Sequence, residues 1–485
     1  MRRSINSALG LAIAMASTGC SSLHQNSLQH ASEASGAATI KSIEFSGTGR
    51  WYQFGQAPNP DLPWPPFDVK AYTADINYDT ASARVQIARA QVIEPGRTRP
   101  APVEQKVDQY ISGTSAWNVA TTGNATPSAQ PASVDERTAE IWSSPQGFLK
   151  AALANQAKSK DIDNGTEVSF SIGGKYRYVG TLNTKNQLTK VQTWIDNPVL
   201  GDTLVETQYS DYKEFDGGQF PGHIIRTQGG YPVLDINVSA VKANPAVNIA
   251  IPQEASKPPT TVVAASKLAD GVYYLTGGSH HSVAIEQKDH IVLVEAPLNE
   301  ERSLAIIAKL KETIPNKPIK YLINTHAHFD HSGGLRTFVD AGATIVTHQP
   351  NQAYYQKVWD APHTINPDRL AKSKKSAHFE SFTGKQILSD GKRNIEIHSI
   401  AGNSHNDAFV LVYLPSEKIL VEADAYTPLA ANAPAPTSVN PYSANLYENI
   451  QKLKLNVGQI AALHGPRIAT LADLRSAIGI TKASR

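Results

Sequence analysis

The chain has one cysteine, Cys20, and two methionines, Met1 and Met15, in 485 residues. A single cysteine excludes an internal disulfide. The second half of the chain has no sulfur ligand at all, so a redox-active soft-ligand metal site is excluded there. Net charge is also scarce: 45 basic residues stand against 43 acidic ones, and two of the basic residues, Arg2 and Arg3, lie at the very start. Without the first 19 residues the chain is formally neutral, so charge implies no nucleic-acid or other polyanion partner. The apolar run Ala8 to Ala16 is too short to span a bilayer as a stable anchor. Hydrophobic residues at 41% and charged residues at 18% exclude a disordered or fibrous chain. Length and composition together predict two or three domains, each able to bury a core.

What is present at the start reads as an export signal: a basic Arg2-Arg3, the apolar run, then small residues. Gly19-Cys20 resembles a bacterial lipoprotein cleavage site, in which the cysteine becomes the lipidated N-terminus and attaches the protein to a membrane; Ser17 departs from the usual aliphatic residue. The alternative is ordinary cleavage after Ala14-Met15-Ala16. Both readings place the protein outside the cytoplasm, in the periplasm or as an outer-membrane lipoprotein. The expected order is a signal peptide over 1–20, a flexible Ser/Ala/Gln tether over 21–39, an antiparallel β-rich domain over 40–251, a proline-rich linker over 252–261 and a second domain over 262–485.

From Ile43 to Val241 short runs alternate in polarity and are rich in β-branched and aromatic residues, with turn signals at Gly173-Gly174, Asp216-Gly217-Gly218 and Gly229-Gly230. They predict a curved antiparallel sheet with helices around 100–112 and 134–157. Its Trp and Tyr residues read as core rather than as a ligand platform. The stretch Gln187 to Asn244, with Val191-Gln192-Thr193-Trp194-Ile195-Asp196 and Phe220-Pro221, resembles the half-barrel of outer-membrane lipoprotein carriers.

After the linker, strands alternate with helices. Asn299 caps a helix with an acidic first turn, Glu300-Glu301, and apolar Leu304, Ile307, Leu310 and Ile314 at helical spacing. Ile319 to Asn324 is a buried strand, and Thr325-His326-Ala327-His328-Phe329-Asp330-His331-Ser332-Gly333-Gly334 follows it directly. Three histidines and a carboxylate in six residues at a strand end would bring unpaired polar atoms into one small volume, a conflict that a divalent metal resolves. His326 and His328 share one face of an extended chain and can converge on one ion, while Asp330 and His331, past the bend, can reach a second.

This His-x-His-x-Asp-His pattern is similar to the signature of the metallo-β-lactamase superfamily, and the resemblance runs from about residue 262 onward. It implies an αββα sandwich, making the whole an α+β two-domain protein. It implies that His405, in Gly402-Asn403-Ser404-His405, completes a first zinc site with His326 and His328. It implies that His464, in Leu463-His464-Gly465, completes a second with Asp330 and His331, and that Asp424 bridges the two. Iron or manganese could replace the two zinc ions. The expected function is hydrolysis of a small ester, lactone, amide or thioester by a hydroxide held between the ions, with Asp330 orienting it and carrying the proton. Asp424 stands where some lactamases use a cysteine, and Asn406-Asp407 departs from the small residue and glycine common in the superfamily. A β-lactamase is the nearest alternative; a lipid- or lipoprotein-binding protein with a secondary metal domain is another.

His280 and His281 read as exposed loop histidines, His348 as solvated, and His223, His363, His378 and His398 as structural. The segment Pro350 to Gln386, with Tyr354, Tyr355, Trp359 and His363, reads as a lid or substrate wall, or equally as helix packing. Ala430 to Tyr442 reads as a loop bordering the pocket.

Overall fold

A computed structural model of the protein describes residues 27–480 except 124, 216, 258, 432 and 435. The expected signal peptide, Cys20 and the start of the tether lie outside the described residues. Among the described residues no helix is long and apolar enough to cross a membrane.

The N-terminal region is built on an antiparallel sheet of 13 strands, with a separate two-stranded ribbon of Lys213–Phe215 and Gly218–Phe220. Its first strand, Ser42–Tyr52, pairs with its last, Tyr231–Ala243, so the centre of the sheet joins two arms of hairpins. The arms end at the short strands Pro127–Ala129 and Lys158–Ile162, which do not meet, and no barrel closes. Helices Val134–Ser143 and Pro145–Ala154 occupy the inside of the curve. The first touches strands of both arms, Ser82–Gln91 and Leu188–Asn197, which a flat sheet would hold far apart. Ile141, Phe148, Tyr72, Tyr178 and Tyr209 are buried in this core, as expected of its aromatics.

Two expectations fail here. Residues 105–112 form a strand, not a helix. Gln105–Ser112 pairs with Ser82–Gln91, and Arg84 reaches across to grip Asp108 at 2.9 Å through both carboxylate oxygens, so its charges serve a cross-strand pair. The expected tether is regular structure from residue 27 on. Residues 27–34 are helical, and Leu28, Ala31 and Ala37 are buried in the N-terminal core, because small residues let this segment lie close against the sheet.

The C-terminal region holds a seven-stranded and a six-stranded sheet. In the first, side chains alternate strictly: Val292, Val294, Val283, Ile323 and Val346 face the second sheet, while Ile291, Leu293, Ala284, Leu322 and Ile345 face the helices Glu300–Thr313, Leu335–Asp340 and Gln349–Val358. Burial on both faces explains why these strands read as unbroken apolar runs. Helices Pro441–Lys452 and Leu471–Ala477 cover the far side through Leu446, Ile450 and Leu474. This αββα layering leaves the ends of strands from both sheets at one rim.

Candidate metal centre

The rim is where the histidine-rich segment lies. Strand Ile319–Ile323 ends at Asn324, whose amide donates to the His326 carbonyl at 2.8 Å and fixes the turn. His328 then precedes the short helix Phe329–Ser332. Gly333 allows the next turn to pack: a Cβ there would sit 1.9 Å from the Leu298 carbonyl oxygen. His405, Asp424 and His464 follow strands Asn394–Ser399, Ile419–Glu422 and Gln459–Ala462 of the other sheet.

The structure brings all seven predicted side chains together. His326, His328, His405 and Asp424 form one set of donors whose atoms lie within 4.8 Å of one another, and Asp330, His331 and His464 form a second set with His280. Asp424 joins them: Oδ2 is 3.1 Å from His326 Nε2, 2.9 Å from His331 Nε2 and 3.0 Å from His405 Nε2, and Oδ1 is 2.8 Å from His464 Nε2. His331 Nε2 and His464 Nε2 are themselves 2.9 Å apart.

The donor set fits divalent cations. His328 Nδ1 is buried without a hydrogen-bond partner, a costly condition that a cation relieves, and the only partner of His326 Nε2 is the shared Asp424 carboxylate. The other ring nitrogens are engaged: His326 Nδ1 lies 3.0 Å from Thr325 Oγ1, His328 Nε2–H donates to the Ala57 carbonyl at 3.0 Å, and His331 Nδ1–H donates to Glu295 Oε2 at 2.5 Å. Partners of this kind set the tautomer and aim the free nitrogen at a metal. Burial, helped by neighbouring histidines, pushes His326 down to about 3 and holds His328 well below the usual histidine range, so both present lone pairs. Burial disfavours charge on His331 too, but Asp424, Asp330 and Glu295 outweigh it and hold its pKa well above normal. Asp424 is desolvated, yet His331 and His405 keep it ionised. Carboxylates and imidazoles packed this closely bind a divalent cation with the imidazoles in their neutral form, so metal binding there would be coupled to proton release.

His280 and His281 are not exposed. His280, 8% accessible, turns Nε2 to Asp330 Oδ2 at 3.1 Å and sets its ring edge-to-face with that of His464, centroids 4.2 Å apart; His281 donates Nε2–H to the Gly465 carbonyl at 2.8 Å. An isolated β-bridge between His280 and His464 draws this loop to the rim. A double histidine following Gly277-Gly278 was the only sequence signal. Glu295 was also missed; it is fully buried, and its signal was an acid at the end of the apolar strand Ile291–Val294. His223, His363, His378 and His398 belong to neither donor set, nor does His348. In the Pro350 to Gln386 segment, Tyr355 is fully buried and donates its hydroxyl to Asn324 Oδ1 at 2.8 Å, so this residue packs behind the histidine-bearing turn. Tyr442, at the end of the Ala430 to Tyr442 stretch, sets its ring 5.4 Å from that of His405.

Residues 275–424 match the family model of the metallo-beta-lactamase superfamily. Among curated proteins, the chain is 32% identical over 75 residues to a linear primary-alkylsulfatase from Pseudomonas sp, covering 15% of this chain and 11% of that protein. It is 26% identical over 170 residues to a metallo-beta-lactamase type 2 from Elizabethkingia meningoseptica, covering 33% of this chain and 61% of that one. The chain thus spans a small part of the first and about three-fifths of the second. Among solved structures it is similar to a metallo-beta-lactamase from Pontibacter korlensis, at 18% identity and a TM-score of 0.34 over 45% of this chain and 98% of that one. Another is the metallo-beta-lactamase from Hirschia baltica, at 22% identity and a TM-score of 0.33 over 45% and 97%.

Proposed function

We propose that the protein is a hydrolase with two divalent cations, zinc in the first place, acting on a small substrate with an ester, lactone, amide or thioester carbonyl. The observation that carries this reading is the Asp424 carboxylate, which lies within 3.1 Å of imidazole nitrogens of both donor sets. His326, His328 and His405 would hold one cation, Asp330, His331 and His464 the other with His280 within reach, and Asp424 both. When bound, such a pair supplies a water-derived nucleophile near neutral pH and polarises the electrophile's oxygen.

The chain's own residues do the rest. Asp330 is the catalytic residue: its side chain is 30% accessible, the most open of the carboxylates here, so it can orient the attacking water, take its proton and pass it to the leaving group. Glu295 and Thr325 hold His331 and His326 on their far sides. The buried histidines give the centre a low local dielectric, which strengthens its hold on developing negative charge.

A β-lactam is the second reading, favoured by the 170-residue match to a protein named a metallo-beta-lactamase. Assaying the purified full chain on ester, lactone, thioester, amide and β-lactam substrates, before and after chelation and with zinc added back, separates these. Turnover that disappears with chelator and returns with zinc is expected; turnover indifferent to chelator, or none on any substrate, contradicts the reading.

A further inference from the structure

The loop joining strands Ser42–Tyr52 and Pro66–Asn77 belongs to the N-terminal sheet but lies against the metal-binding turn. Phe54, Trp64 and Phe329 form an edge-to-face aromatic cluster with centroids 5.1 to 5.7 Å apart, and Trp64 Nε1 donates to the Gln228 carbonyl at 3.0 Å, fastening the loop to its own sheet. Phe329 N donates to the Gly55 carbonyl at 3.1 Å. Gly55 has a φ of +78°, and a Cβ there would lie 2.7 Å from the Phe329 ring, so backbone geometry and space both call for glycine. On the other side, Asp407 N donates to the Pro58 carbonyl at 2.8 Å and Asn406 Nδ2 to the Ala57 carbonyl at 3.4 Å.

Two contacts in this strap go beyond adhesion. The Ala57 carbonyl can only accept, so His328 must carry its proton on Nε2, and its Nδ1 lone pair is left facing the first donor set, buried and unpartnered. Gln56 Nε2 donates to Asp330 Oδ1 at 2.7 Å while His280 Nε2 lies at Oδ2, so the carboxylate is held from both oxygens. A surface whose only task was to glue two sheets would not need to meet one member of each donor set at the atom that fixes its orientation.

We propose that the Gly55–Pro58 strap is the outer layer of the metal centre, with Ala57 setting the tautomer of His328 and Gln56 a positioning residue acting through Asp330. This rests on the hydrolase reading above and adds that the catalytic centre is incomplete without the N-terminal sheet. The residues at these positions then decide how tightly the centre holds zinc and how Asp330 meets the substrate.

The test is zinc binding to the apo full chain, by competition with a chromophoric chelator, in wild type, Gln56→Met and Gly55→Val, alongside kcat and KM on whichever substrate is turned over. Gln56→Met keeps the side chain's length and removes its donor, so the fold should survive it. It is expected to weaken one of the two zinc sites and lower kcat, each about 10-fold, with KM little changed. Gly55→Val, which pushes the strap off Phe329, is expected to weaken zinc binding by about 10- to 100-fold. Wild-type zinc affinities and kcat in a folded Gln56→Met protein, together with wild-type affinities in Gly55→Val, overturn the proposal while leaving the hydrolase reading intact. A wild-type chain that binds no zinc overturns both.

Discussion

The C-terminal sandwich and the N-terminal sheet bring their residues to the candidate metal centre by opposite routes. In the sandwich, four of the donors sit within six consecutive residues, and the other four end or border strands whose apolar runs fix where they emerge. In the N-terminal sheet, Gln56 and Ala57 lie in a loop with no repeated or unusual residue chemistry, and reach the centre only because 13 strands and an aromatic cluster carry that loop there. A cluster that must satisfy many polar atoms at once marks itself in sequence. A single carbonyl or amide that orients one partner does not. The consequence is that changes in the two regions should fail in different ways.

The largest effect is expected at the joint of the two donor sets. Asp424→Ala removes a carboxylate shared by four imidazoles, so its loss should exceed the roughly 10²- to 10³-fold that a single preorganised electrostatic group contributes, and metal content should fall with it. Metal analysis and turnover of the purified variant check this; full zinc with full activity would break the comparison at its strongest point. The N-terminal sheet should answer a core deletion differently. Phe148 is fully buried with its ring directly over Gly180, so Phe148→Ala should cost about 3–5 kcal/mol of stability in denaturant unfolding. In the protein that remains folded, zinc stoichiometry should be unchanged, because Phe148 touches no donor.

Smaller effects sharpen the contrast. Glu295→Gln keeps the shape but removes the charge that holds His331, and should weaken zinc binding by about 10- to 100-fold in chelator competition. Loss at only the His331 site, with the His326 site unaffected, would locate the effect. Arg97→Ala removes a bidentate pair with Asp407 across the two regions at 2.9 Å; Asp407 is 41% accessible, so solvent screens the pair and the cost should be only about 0.2–1 kcal/mol. A cost of several kcal/mol would mean that this contact, not the Gly55–Pro58 strap, holds the regions together.

How much of this could be read beforehand follows the same division. Strands such as Ile291–Val294 and Val410–Leu414 were legible because both faces are buried and the run has no polar interruption. The N-terminal strands were legible where one face alternates, as in Leu188–Asn197, and failed at Gln105–Ser112, where Asp108 is buried only because Arg84 on the next strand meets it. The short edge strands and the helix at residues 27–34 carry too few apolar residues to declare themselves. Among the donors, His280 was invisible because its role comes from a bridge to His464, 184 residues away in sequence, as counted between His281 and Gly465 beside it. Glu295 was obscured because nothing in its neighbourhood says that a histidine 36 residues later will lie against it.

The central claim is that two cations sit on either side of Asp424. A crystal of the zinc-loaded full chain, with anomalous scattering recorded at the zinc edge, tests it directly. The account predicts two peaks per chain, one within about 2.0–2.2 Å of nitrogens of His326, His328 and His405 and the other within the same distance of nitrogens of His331 and His464, with Asp424 contacting both. Peaks elsewhere, or none at this rim, would contradict it.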